Sequence, residues 1–271
     1  MTTTELLLTA WRFDPIVVLG CAAALGAYAS VPVATRPASR AGYLTAACVV
    51  LVVALASPVG ALADGYLFSA HMLQHLLLLL VVPPLALMGL PPTPALPPRG
   101  GHAGAWIGGS RGGPTGAWLA GVAAMWLWHA PRLCNAATRS SAVHLVQEVS
   151  LLVMGTWFFW PILAPRSEAR LPPFAGIAYL FTACTACTVL GIAVTFSPVE
   201  ICTSYLFPSD RLGAMSLLYG WGLTPQRDQQ IGGLLMWLPA CLVYGAGILG
   251  ILARWYREPE DARALAAERA P

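Results

Sequence analysis

The sequence predicts an all-α polytopic membrane protein, a seven-transmembrane-helix bundle with its N-terminus outside and its C-terminus cytoplasmic. Three observations predict it. Of 271 residues, 57% are hydrophobic and only 10% charged, whereas a soluble domain carries roughly a quarter charge. The mean hydropathy is +0.67. The apolar residues also fall into seven runs near the roughly 20 residues that a spanning helix needs: 15–34, 41–63, 67–90, 116–133, 143–163, 174–197 and 229–256.

Each run has its own local logic. The first follows Met1–Ala10, which has no basic segment, so it is expected to stay rather than be cleaved as a signal. The third holds His71, His75 and, further on, Pro83-Pro84, which should kink it because proline lacks a donor and clashes with the preceding turn. The fourth is the shortest. Residues 91–115, rich in Pro and Gly, should be irregular, and 198–227 is long enough for a short helix. The aromatic residues Trp126, Trp128, Trp157, Phe158, Phe159 and Trp160 read as interface belts. Residues 1–257 form a single seven-helix membrane domain, and 258–271 a charged cytoplasmic tail, as solvated helix or disorder.

Orientation follows from arginine, since the chain has no lysine. Arg36, Arg40, Arg99, Arg111, Arg166, Arg170, Arg254, Arg257, Arg263 and Arg269 fall on one side. Arg12, Arg132, Arg139, Arg211 and Arg227 fall on the other. The richer side is read as cytoplasmic. The net charge of +3 is too small and dispersed for nucleic acid. Seven scattered cysteines form no framework, so disulfides are not implied. No Walker loop, GxSxG or HExxH occurs, which disfavours a serine or zinc protease.

The functional signal is where the polar residues gather. His71 and His75 are four apart, on one helix face about 6 Å apart along the axis. Lipid-facing imidazole is costly, so both should turn inward. The topology brings His71, His75, His129 and His144 to similar depth near the external face, with His102 on the other side. Glu148 lies one turn from His144, either as a ligand or as the group that sets its tautomer. Asp228 opens the seventh run. Met72 neighbours His71, while Met125 and Met236 lie below. Imidazole with thioether suits Cu(I) better than a hard cation. The candidate metal ligands are therefore His71, His75, His129, His144, Glu148, Asp228, Met236 and Met72, although methionines in such positions are more often gap-filling core than ligands. Cys184 and Cys187 read as small packing residues or a thiol pair.

Several motifs, in order, resemble the multi-span CtaG family of cytochrome c oxidase assembly factors. They are His71-Met-Leu-Gln-His75 with Pro83-Pro84, Trp128-His-Ala-Pro131, His144 with Gln147, and Phe159-Trp-Pro161. Tyr179-Leu-Phe, Leu190-Gly, Phe196-Ser-Pro198 and Thr224-Pro-Gln-Arg-Asp-Gln-Gln through Pro239 follow. The resemblance implies a multi-pass protein of the bacterial inner membrane, needed to make an active caa-type haem–copper oxidase. It implies copper delivery to oxidase subunits, or exchange with an extracytoplasmic copper carrier, and no enzyme activity. Some relatives are fused to copper-uptake membrane domains. Many carry a second histidine one turn after the His144 position, where this chain has Glu148. Two alternatives stay open: a copper transporter, and a redox protein whose paired histidines ligate haem. Oligomeric state is open, with a homo-oligomer among the options.

Overall fold

The computed structural model describes residues 2–32, 37–91, 112–208 and 210–268, with side chains as far as residue 257. His102 lies outside the described residues, as does most of the 91–115 connection. The described chain is helical, without strands, and five helices are long and apolar enough to cross a membrane.

Helix α1, Thr3–Thr9, starts with a capping box between Thr2 and Glu5. Helix α2, Pro15–Ala29, starts at Asp14, whose carboxylate accepts from the Ile16 N–H. Helices α3, Ala38–Ala56, and α4, Pro58–Ala63, together make one apolar stretch. The break between them is local: Ser57 adopts extended backbone, caps Val59 N–H and precedes Pro58, where proline suits the first helical turn. Helix α5, Phe68–Leu76, runs through a π turn at Leu77–Val81 into α6, Val82–Gly89.

At Pro83-Pro84, where a kink was expected, the helix continues through a π turn. Pro83 cannot donate to the Leu79 carbonyl, and wider π geometry absorbs the mismatch. Gly155 of the neighbouring helix lies against that same Leu79 carbonyl and Pro83. A Cβ there would collide with backbone.

Helix α7, Gly113–Trp128, ends at His129, and a separate amphipathic helix α8, Pro131–Arg139, follows. Residues 116–133 were expected to be one span; Pro131 instead opens a new helix, since the residue before proline is pushed out of helical geometry. Helices α2 and α7 have 15 and 16 residues, about 23 Å of helix against a hydrocarbon core of about 30 Å. Helix α9, Ser141–Leu163, and α10, Pro173–Thr195, come next. The 198–227 connection contains a 3-10 turn at Thr203–Tyr205 and helix α11, Met215–Gly220. Helix α12, Pro225–Glu268, continues unbroken into the charged tail.

The segment Phe68–Gly89 is the most buried of the five spanning candidates, at 61%. It is packed by α3, α4, α9 and α12, and α12 also packs along α10. Gly232 permits that packing, because a Cβ there would meet the Phe68 ring and the Met72 side chain. Phe158 and Phe159, expected in an interface belt, instead stack edge-on in the core at 2% and 3% exposure. Phe158 packs on Gly121 of α7 and Tyr179 of α10, and Phe159 turns toward Leu80 and Val243, so packing overrides the belt pattern.

The absence of disulfides is also corrected. Cys134 of α8 is bonded to Cys202, 68 residues away, a pairing that sequence spacing does not encode. Nearby, Asn135 Oδ1 accepts from Thr203 Oγ1 at 3.0 Å and from Ser204 N and Oγ at 2.9 and 2.7 Å. Gln229 holds the same loop through Ile201 N–H (2.8 Å) and the Val199 carbonyl (3.1 Å). The Cys134→Ser/Cys202→Ser variant should lose about 2–4 kcal/mol of stability, read as a lower thermal midpoint under non-reducing conditions. An unchanged midpoint would mean the polar contacts alone hold the loop.

Candidate metal centre

The helix that carries His71 and His75 is fixed from outside itself. Asp228, only 3% exposed, accepts from Phe68 N at 2.6 Å, from Ser69 N at 3.1 Å, and from the Ser69 hydroxyl. It supplies the N-terminal cap that Leu67 cannot. Asp228 is therefore committed to positioning α5 rather than facing the histidines.

Four imidazoles form a row. The His144 and His71 ring centroids are 5.8 Å apart, His71 and His75 4.2 Å, and His75 and His129 5.5 Å. They come from α9, α5 and the end of α7. His71, His75 and His129 are 1%, 5% and 5% exposed. Both ring nitrogens of His71 and of His75 are buried without a hydrogen-bond partner. So are both amide atoms of Gln147 and the Gln74 Oε1. Buried polar atoms are almost always paired, and these are the ones left unpaired around the row. Tyr205, its hydroxyl on the Ala63 carbonyl at 2.8 Å, covers the row with its ring 5.9 Å from His71.

The two ends of the row differ. At one end, His144, Glu148 and Gln74 line an open vestibule of about 870 Å³, whose rim includes Asp14, Asp64, Arg12, Arg139 and Arg211. Arg12 pairs with Asp64 at 3.1 Å. Glu148 Oε1 sits 3.7 Å from His144 Nε2 and accepts from Gln74 Nε2 at 3.2 Å. At the other end, His75 and His129 join Met72, Met125 and Met236 around a closed cavity of about 10 Å³, room for about one water-sized guest. The row therefore runs from the vestibule to a small pocket in which two imidazoles and three thioethers share the lining with leucines.

His129 carries the clearest signature. Its Nδ1 lies 2.5 Å from the Met125 carbonyl, so Nδ1 holds the proton and Nε2 presents a lone pair. That Nε2 faces the Met72 sulfur at 2.9 Å. An imidazole nitrogen and a thioether sulfur therefore stand side by side at this end of the row. A carbonyl that fixes the tautomer is also the usual outer support of a metal-ligating histidine. Among the described residues, no three of His, Cys, Asp and Glu are spaced to hold one ion together. The donors stand in file, with thioethers added only at the closed end.

The structure thus brings His71, His75, His129 and His144 together, with Met72 and Met236 at one end and Glu148 at the other. It sets Asp228 apart as the helix cap. Sequence reasoning left Met125 as filler and gave Gln74 no role; the signal for Gln74 was a polar residue inside the apolar third run. Replacing Met72, Met125 and Met236 with leucine conserves volume, so stability should fall by less than about 1.5 kcal/mol each. Were the pocket to bind Cu(I), its affinity should fall at least about tenfold, the scale of losing support at a metal site. A competition titration with a Cu(I) chelator measures this, and unchanged affinity would leave the methionines as packing.

A family model described as cytochrome c oxidase caa3 assembly factor matches residues 22–258. The chain belongs to this family. The matched region includes the whole histidine row and the methionine pocket. Uncharacterized proteins of Mycobacterium bovis and Mycobacterium tuberculosis are each 27% identical over 283 positions, covering 94% of this chain and 41% of the relative. One from Mycobacterium leprae is 26% identical, covering 92% and 40%. The chain therefore spans about two-fifths of the length of these relatives. No solved structure matches. The family's description names a part in assembling cytochrome c oxidase, and the five long apolar helices fit a membrane location.

Proposed function

We propose that this assembly factor binds Cu(I) from the extracytoplasmic side and hands it to a haem–copper oxidase, directly or by way of a soluble copper carrier. The observation that carries the reading is the row of four imidazoles ending at His129 Nε2 and Met72 Sδ, 2.9 Å apart. Neutral nitrogen and thioether donors hold a soft monovalent ion without burying net negative charge. Glu148, His144 and Gln74 at the vestibule floor receive the ion; ligand exchange along His71 and His75 takes it to the methionine pocket, and the same steps reversed release it to a partner.

Seven spans with the N-terminus outside complete the proposal, in the bacterial inner membrane. Two features support the orientation. Arg12, Arg139 and Arg211 share the vestibule end, whereas Arg40, Arg170 and Arg254 group near one another elsewhere. The Cys134–Cys202 disulfide borders the vestibule end, and disulfides persist in oxidising compartments. The short helices α2 and α7 span a locally thinned bilayer.

In cells lacking this chain, the oxidase should assemble its polypeptides but contain little copper, and restoring the chain should restore the metal. A fully copper-loaded oxidase in its absence would reject the delivery role. The open vestibule also favours a transport reading, in which Cu(I) continues across the bilayer; metal uptake into proteoliposomes holding the purified protein separates the two. A haem reading has less support, since rings packed 4.2–5.8 Å apart leave no slot for a macrocycle between them.

A further inference from the structure

Beyond the methionine pocket the sulfur groups continue. Cys184 of α10 and Cys241 of α12 face each other across the helix seam with their sulfurs 3.1 Å apart. Thr188 Oγ1 lies 3.4 Å from Cys241 Sγ. Cys187, one turn from Cys184, donates to the Met236 carbonyl at 3.1 Å, and the side chain of Met236 lines the methionine pocket. Cys241 is five residues beyond Met236 and thirteen beyond Asp228, so it lies about 20 Å along α12 from the helix cap. The thiols therefore sit deeper in the span than the histidine row and adjoin it through Met236.

We propose that Cys184 and Cys241 form a second, two-coordinate site for a soft monovalent cation, Cu(I), below the His/Met pocket. This rests on the reading above only for the identity of the metal. Two sulfurs on separate rigid helices, facing each other in an apolar seam, select a soft ion that accepts few ligands. The ion needs the sulfurs wider than 3.1 Å, and a change of rotamer at either cysteine supplies the room. Binding of the ion deprotonates both thiols and releases their two protons, so the filled site is a bis-thiolate of net charge −1. Cys187 stays a neighbour, engaged with the Met236 backbone. The site gives the copper held at the histidines a place to move inward.

The test uses the full-length protein, purified without oxygen and kept reduced by ascorbate. Cu(I) is titrated against a chromophoric chelator. The wild type should bind one equivalent more than Cys184→Ser/Cys241→Ser. His71→Ala/His75→Ala should retain copper with sulfur neighbours in its X-ray absorption spectrum. A second measurement needs no variant: Cu(I) should protect Cys184 and Cys241 of the wild type from maleimide alkylation, mapped by mass spectrometry. Equal stoichiometry in the cysteine variant, absence of protection, or a Cys184–Cys241 disulfide in the isolated protein would each overturn the proposal. If the histidine variant binds copper like the wild type while protection persists, the histidine reading fails and the thiol site stands.

Discussion

His71→Ala/His75→Ala should abolish copper binding at the histidine row and stop oxidase maturation, while the protein still accumulates in the membrane. The two central rings of the four are His71 and His75, and between them they hold all four unpartnered ring nitrogens. Removing them separates His144 at the vestibule from His129 at the methionine pocket. Gln74 does not bridge that gap, because it turns its amide nitrogen to the Ala54 carbonyl and Glu148. The fold should tolerate the change better than most core truncations. Imidazoles without hydrogen bonds contribute little stabilisation where they stand, and their loss removes four unsatisfied polar atoms. Copper content of the purified variant and oxidase activity of its host are the measurements. Normal values for both would remove the histidine row from the function.

Asp228→Ala should be the most destabilising single polar substitution. It strands the N–H groups of Phe68 and Ser69 and the Ser69 hydroxyl, all buried against α12. Hydrogen bonds to a charged acceptor contribute about 1.5–3 kcal/mol, and each orphaned donor costs about 1–3 kcal/mol. A net loss of about 2–4 kcal/mol follows, within the range for losing a cap and a buried network. The first turn of α5 holds His71, so copper affinity should fall as well, although Asp228 touches no imidazole. Asp228→Asn keeps an acceptor oxygen and should recover part of both losses. Thermal unfolding and chelator competition on the two variants measure this. Weakened copper binding with full stability in Asp228→Ala would instead make the carboxylate a ligand.

The parts of this site that were legible in sequence share one property. They are polar residues inside apolar runs, where lipid gives them no alternative partner. His71 and His75 announce a shared helix face by their spacing, and the antiparallel order of the runs puts His129 and His144 at the same depth. What sequence could not give depends on contacts between distant segments. Asp228 looked like a site residue because it is acidic and near the same depth; only packing of α12 against α5 reveals it as a helix cap. Met125 resembles any core methionine until it is seen to line the pocket beside His129 and Met72. The Cys134–Cys202 bond joins segments with no common motif. Local signals were also outweighed: Pro83 leaves a continuous helix because a π turn and Gly155 accommodate it, and Phe158 and Phe159 follow the core rather than the interface.

Copper K-edge X-ray absorption on the Cu(I)-loaded Cys184→Ser/Cys241→Ser protein examines the histidine–methionine site alone. The row of imidazoles closed by thioethers predicts a first shell of mixed nitrogen and sulfur, with imidazole scattering that disappears when His71 and His75 are also replaced. A shell without imidazole scattering, or no bound copper at all, would contradict the account.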